Sequence, residues 1–258
     1  MSTTPAQFIW YELVTTDLDA AQTFYGAVVG WTPRDSGLSD RRYTILSVGE
    51  RGVGGAMALP PQALESGARP GWVGYIDVDD VDAFVERVKA RGGAVHRAAE
   101  DIPGIGRFAM VADPQGAAFI MMKPIPPSVA PAPIAPGAPG TPGWHELHAA
   151  DGTSAFDFYA GLFGWTKADA MDMGPMGTYQ LFAAGGAPIG AMMTKSAETP
   201  HPHWLYYFNV EAINPAAERV KSHGGQVLNG PHEVPGPMWV LQASDPQGAL
   251  FALVAPAT

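Results

Sequence analysis

The sequence of this 258-residue chain contains itself twice. Adding 134 to a residue number takes Trp10 to Trp144, Glu12 to Glu146, Asp17 to Asp151, Phe24-Tyr25 to Phe158-Tyr159, and Gly30-Trp31-Thr32 to Gly164-Trp165-Thr166. Adding 132 takes Trp72 to Trp204, Tyr75 to Tyr207, Val88-Lys89 to Val220-Lys221, Gly92-Gly93 to Gly224-Gly225, and Asp113-Pro114-Gln115-Gly116 to Asp245-Pro246-Gln247-Gly248. A period this long with so small a shift means a duplicated domain and not a solenoid. Between the copies, Lys123 to Gly143 is dominated by Pro, Ala and Gly, a composition that packs no core and prefers extended conformations. The expected organisation is an N-terminal domain over 1–123, a spacer over 124–143 that is linker and nothing more, and a C-terminal domain over 144–258.

Within the first copy, Phe8 to Thr15 alternates as a strand, with Trp10, Glu12 and Val14 on one face. Asp17 then caps a helix in which Leu18, Ala21, Phe24, Tyr25 and Val28 share a face, and Gly30 stops it. Short β-rich runs follow at Arg42 to Val48 and Val53 to Leu59, and Pro60 to Pro70 reads as a loop. A strand from Gly71 to Val78, a helix from Val81 to Arg91, and strands at Ala94 to Ala98, Arg107 to Ala112 and Ala117 to Met122 complete the copy, with a turn at Asp113-Pro114-Gln115-Gly116. The fold class is α+β: four β-α-β-β-β units in two domains.

The net charge of −10, without a basic run, argues against nucleic acid or an anionic membrane surface and leaves a small molecule as the expected partner. The chain has no cysteine, so no disulfide or thiolate nucleophile enters. The first seven residues lack the features of a signal peptide, and no apolar run approaches the roughly 18 residues of a spanning helix. A soluble, cytoplasmic protein is expected. No Gly-x-Ser-x-Gly, phosphate-binding loop or strand-linked dinucleotide fingerprint is present.

Four such units, each half carrying the capped helix with Phe-Tyr and Gly-Trp and closing on Asp-Pro-x-Gly, resemble the vicinal oxygen chelate superfamily of glyoxalase I, bleomycin-resistance proteins and extradiol dioxygenases. The resemblance implies curved mixed sheets around a cup, helices on the outer face, and two domains packed as an intramolecular pseudo-dimer. It also implies metal-ligand positions: seven residues before the capping Asp, at the opening of the second unit's strand, and seven residues after the Asp of Asp-Pro-x-Gly. Here those positions hold Trp10, Trp72 and Ile120, then Trp144, Trp204 and Ala252, none with a lone pair for a cation. No cofactor is therefore expected at these positions.

The expected ligand-binding residues are Trp10, Trp72, Tyr43, Trp144, Trp204, His148 and Tyr179, lining an aromatic cup for a small aromatic or cationic molecule. Glu12 and Glu146 each lie two residues from a Trp and share its face, as general bases or as anchors for a ligand donor. His148 shares that face in the second copy only, where the first has Val14. With His145, His201 and His203 it offers a non-standard divalent-metal site, although His145 and His203 are out of phase with Glu146 and Trp204 and are expected to point to the helix side or to solvent. Two functions remain: a metal-independent binding protein first, and a glyoxalase- or lyase-type enzyme using Glu12 or Glu146 second. A dioxygenase ranks last because its two His and one carboxylate are not at the usual positions.

Overall fold

In the computed structural model, which describes residues 5–38, 41–128 and 132–256, the first copy forms β1 (Phe8–Thr15), α1 (Leu18–Val29), β2 (Thr32–Asp35), β3 (Tyr43–Val48), β4 (Arg51–Ala58), α2 (Pro61–Glu65), β5 (Gly71–Asp77), α3 (Val81–Ala90), β6 (Ala94–Ile102), β7 (Gly106–Ala112) and β8 (Ala118–Pro124). The second copy forms β9 (Pro142–Ala149), α4 (Gly152–Phe163), β10 (Thr166–Asp172), β11 (Thr178–Ala183), β12 (Pro188–Thr194), β13 (His203–Asn209), α5 (Ile213–Ser222), β14 (Gln226–Val234), β15 (Met238–Ser244) and β16 (Leu250–Pro256). Residues 1–4 of the start, and 129–131 of the expected spacer with its Pro131, lie outside the described residues.

Local chemistry accounts for the helix ends. The carboxylates of Asp17, Asp80 and Asp151 accept the N–H of Ala20, Ala83 and Ser154, satisfying donors that a first turn leaves unpaired. Gly30 ends α1 at φ 89°, a left-handed conformation that suits glycine.

The strands order as β2-β3-β4-β1-β5-β8-β7-β6 in one sheet and β10-β11-β12-β9-β13-β16-β15-β14 in the other. Two elements escape the sequence pattern. β2 is an edge strand with all four residues exposed and Pro33 inside it, so it shows no alternation. The loop after Pro60 contains the short helix α2, begun by Pro61. The end of the spacer is also more than a linker: Gly140 N–H donates to Asn209 O, Asn209 N–H to Thr141 O, and Trp31 Nε1 to Gly140 O at 2.7 Å.

The chain divides into two compact units, one from Met1–Ile9, Val73–Ala130 and His145–Leu205, the other from Trp10–Trp72, Pro131–Trp144 and Tyr206–Thr258. Each draws on both copies of the repeat. In the first, Tyr159 of α4 packs on Phe119 of β8, Trp165 and Trp204; in the second, Phe24 and Tyr25 of α1 pack on Phe251 of β16, and Tyr25 also on Trp72.

The repeated motifs explain this pairing. Tyr159 Oη donates to Asp113 Oδ2 at 3.1 Å, while Asp113 Oδ1 accepts the N–H of Gln115 and Ala117 inside its own Asp-Pro-Gln-Gly turn. Tyr25 Oη and Asp245 Oδ2 do the same at 3.2 Å in the other unit. The Phe-Tyr helix of one copy is thus bonded to the Asp-Pro-Gln-Gly turn of the other.

Candidate functional site

Along β9, Glu146 and His148 face one way while His145 and Leu147 face the other, as strand geometry requires. Met192 and Gln180 lie beside the first turn of α4, so the alternate residues Ala191 and Tyr179 belong to the face turned away from the helix. On that face Glu146 is 5% exposed. Its Oε2 accepts the Tyr179 hydroxyl at 2.7 Å and its Oε1 meets His148 Nε2 at 2.7 Å. His203, opening β13, stacks on His148 with centroids 4.9 Å apart and planes 1° from parallel.

Tyr179 reaches Glu146 across the intervening strand β12, where the residue opposite Glu146 is the small Ala191. The first copy builds the same bridge more tightly. Glu12 pairs with Gly55, and a Cβ there would lie 2.0 Å from the Tyr43 hydroxyl. Tyr43 Oη receives Trp10 Nε1–H at 2.9 Å and is also hydrogen-bonded to Glu12. Burial pushes the Tyr43 hydroxyl well above its ordinary pKa, and the Glu12 charge adds to that, so it stays a neutral donor. Val14 leaves this copy without the imidazole.

The partners assign the tautomers. A carboxylate only accepts, so His148 Nε2 carries the proton of this bond. His203 Nδ1 lies 3.1 Å from His201 O, so Nδ1–H donates there and Nε2 keeps the lone pair. Burial lowers the His203 pKa, and His148 and Lys195 add to that, while the His201 carbonyl and Glu146 oppose it. His203 is therefore held neutral near pH 7.

Several expected site residues lie elsewhere. Trp72 and Trp204 do not share a face with Glu12 and Glu146: their indoles are buried under the helices and donate to Tyr25 Oη at 2.8 Å and Tyr159 Oη at 3.0 Å. His203, expected on the helix side or in solvent, takes the site-facing position instead. The apolar run Trp204 to Phe208 is buried on both faces, and such a strand carries no alternation from which to read its phase. His145 does go to the helix side, stacked on Phe8 at 4.1 Å with its Nδ1–H donated to Ile189 O. His201 is exposed and contributes only its carbonyl, while Trp10 and Trp144 are half-buried.

A sequence model of the Glyoxalase/Bleomycin resistance protein/Dioxygenase superfamily matches residues 7–121 and again 143–253, and the chain belongs to that superfamily. Among its relatives is "Putative glyoxylase CFP32" of Mycobacterium tuberculosis, 33% identical over 250 residues covering 96% of this chain and 94% of the relative. Another is "Anthracycline biosynthesis protein DnrV" of Streptomyces peucetius, 30% identical over 262 residues covering 97% and 93%. The Mn(II)-bound glyoxalase from Novosphingobium aromaticivorans shares the fold at a TM-score of 0.68 with 16% identity, covering 98% of this chain and 82% of that one. The 2,3-dioxygenase LapB from Pseudomonas sp. KL28 does so at 0.68 with 14% identity, covering 100% and 94%.

A manganese glyoxalase on the same fold raises the question of a metal. Trp10, Ile120, Trp144 and Ala252 offer no lone pair, Trp72 and Trp204 are bonded to helix tyrosines, and the next residues, Val73 and Leu205, are apolar. Among the described residues no three His, Asp or Glu groups are arranged to hold a cation, Glu146, His148 and His203 included. The residues present do not fit a metal of the kind that neighbour binds. No helix among the described residues is long and apolar enough to cross a membrane.

Proposed function

We propose that the chain binds a small, flat and preferably cationic organic molecule on the sheet face that carries Glu146, independently of a metal. The observation that carries this reading is the buried Glu146 carboxylate, oriented by Tyr179 and His148 and flanked by the stacked ring of His203. The carboxylate supplies negative charge, and the flat rings beside it suit a flat cation by stacking and charge together. The negative net charge favours the same class, and an anthracycline, the molecule in one relative's name, is a flat aromatic bearing an amine.

The test is a fluorescence titration with doxorubicin and with its N-acetyl form, which keeps the rings and loses the charge. Saturable binding of doxorubicin is expected, at least about tenfold weaker for the N-acetyl compound and for Glu146→Gln, the scale of one charge-assisted hydrogen bond. Binding that ignores both changes, or none at all, would remove this reading.

A further inference from the structure

We infer that Met193 is a specificity-determining residue that selects ligands by ring count, favouring cations of three or more fused rings laid across the strands from β9 towards β10. The inference rests on the proposed binding at the Glu146 face and adds to it the residue that measures the ring system.

Strand register puts five side chains in one row. Residues directly opposite each other on paired strands point to the same side of a sheet. Met193 of β12 is opposite His148 of β9. Since Met192 is opposite Gln180, Met193 is also opposite Tyr179 of β11. Tyr179 in turn is opposite Met171 of β10, and His203 of β13 stacks on His148. The row His203, His148, Met193, Tyr179, Met171 therefore crosses five adjacent strands on the face that carries Glu146, and at about 4.8 Å per strand it runs for about 19 Å. All five residues are half-buried, whereas Met192, one position along and beside α4, is sealed at 0% exposure. A ligand can reach Met193 as it cannot reach a core methionine.

Every member of the row offers a ring or a polarisable thioether, and thioethers pack well against aromatic rings. Glu146 stands two residues from His148 on β9, opposite the small Ala191, so the negative charge lies towards one end of the row. A cation held there meets Met193 one strand away, while Met171 is three strands away. One ring reaches no further than Met193, and only a longer fused system continues across Tyr179 towards Met171. The corresponding row of the first copy is Gly71, Val14, Met57, Tyr43 and Ser36. It keeps the middle methionine and loses both imidazoles and the distal thioether, so the long row of rings and sulfur belongs to the second copy.

The experiment is calorimetric titration of the full chain with benzylamine, 2-naphthylmethylamine and 2-anthracenylmethylamine, which share one charge and differ in ring number. The three-ring amine is expected to bind about 100-fold more tightly than the one-ring amine, the scale of the extra apolar surface covered. Met193→Gln, which keeps the length and loses the apolar thioether, should lower that ratio at least about fivefold. Met193→Leu, a volume-conserving change that removes only the sulfur, should lower it about twofold to threefold. Met171→Ser, which installs the residue of the first copy, should lower the ratio as well. Glu146→Gln should weaken all three amines together, which reports on the underlying site separately. Near-UV circular dichroism of each variant separates lost binding from lost folding. Binding that depends on Glu146, with the same ring-number ratio in the native chain and in the folded Met193 variants, overturns the role of Met193 and leaves the site standing. No binding of any amine, or binding indifferent to Glu146→Gln, overturns the site and the inference with it.

Discussion

His145 and His148 stand three residues apart on β9 and face opposite sides of the sheet, and their environments diverge accordingly. His145 is sealed in the core against Phe8, where burial pulls its pKa from 6.5 down to about 4, with only the Ile189 carbonyl acting against the shift. Its folded pKa lies below its unfolded one, so as the pH falls the unfolded chain takes the proton first. The stability that neutral His145 provides is whole above about pH 6.5 and is lost progressively down to about pH 4, by up to roughly 3 kcal/mol. Chemical denaturation of the native chain and of His145→Phe across that window should show the native chain losing more, and parallel curves would refute the assignment. The contact of Glu146 with Tyr179 comes from the pairing of β11, β12 and β9, but the shared face of Glu146 and His148 was readable in the sequence, since they stand two residues apart on one strand. His203 was not, because β13 is apolar on both faces and a one-residue phase error moved Trp204 into its place.

At the scale of elements, the notable contact joins a helix to a turn. Tyr25 on α1 accepts from Trp72 and donates to Asp245, and Tyr159 on α4 does the same between Trp204 and Asp113. Removing either hydroxyl leaves an indole N–H and a carboxylate oxygen without that partner in a closed interior. Tyr25→Phe and Tyr159→Phe should each cost about 1–3 kcal/mol in urea unfolding. A cost near zero for both would mean that water replaces the hydroxyl. Every participant is visible in the sequence as a repeated motif. Their partnership is not, since Tyr25 and Asp245 are 220 residues apart and nothing in either motif names the other.

At the scale of the molecule, each compact unit takes part of its core from each copy of the repeat, so a single copy does not contain its own packing partners. A chain cut to residues 1–128 would expose the faces of α1 and β8 that Phe251 and Tyr159 cover in the full chain. It should therefore self-associate or fail to fold, and a folded monomer of that length in size-exclusion chromatography with circular dichroism would contradict this. The amino-acid sequence by itself determined the duplication, the α+β elements and the helix caps. These depend on local pattern and on which atoms a side chain carries. Only the tertiary structure decided which copy completes which core, that Trp72 and Trp204 serve the helices, and that His203 joins Glu146 and His148. These depend on contacts between distant segments and on the phase of strands whose two faces are both buried, and neither is written in local periodicity.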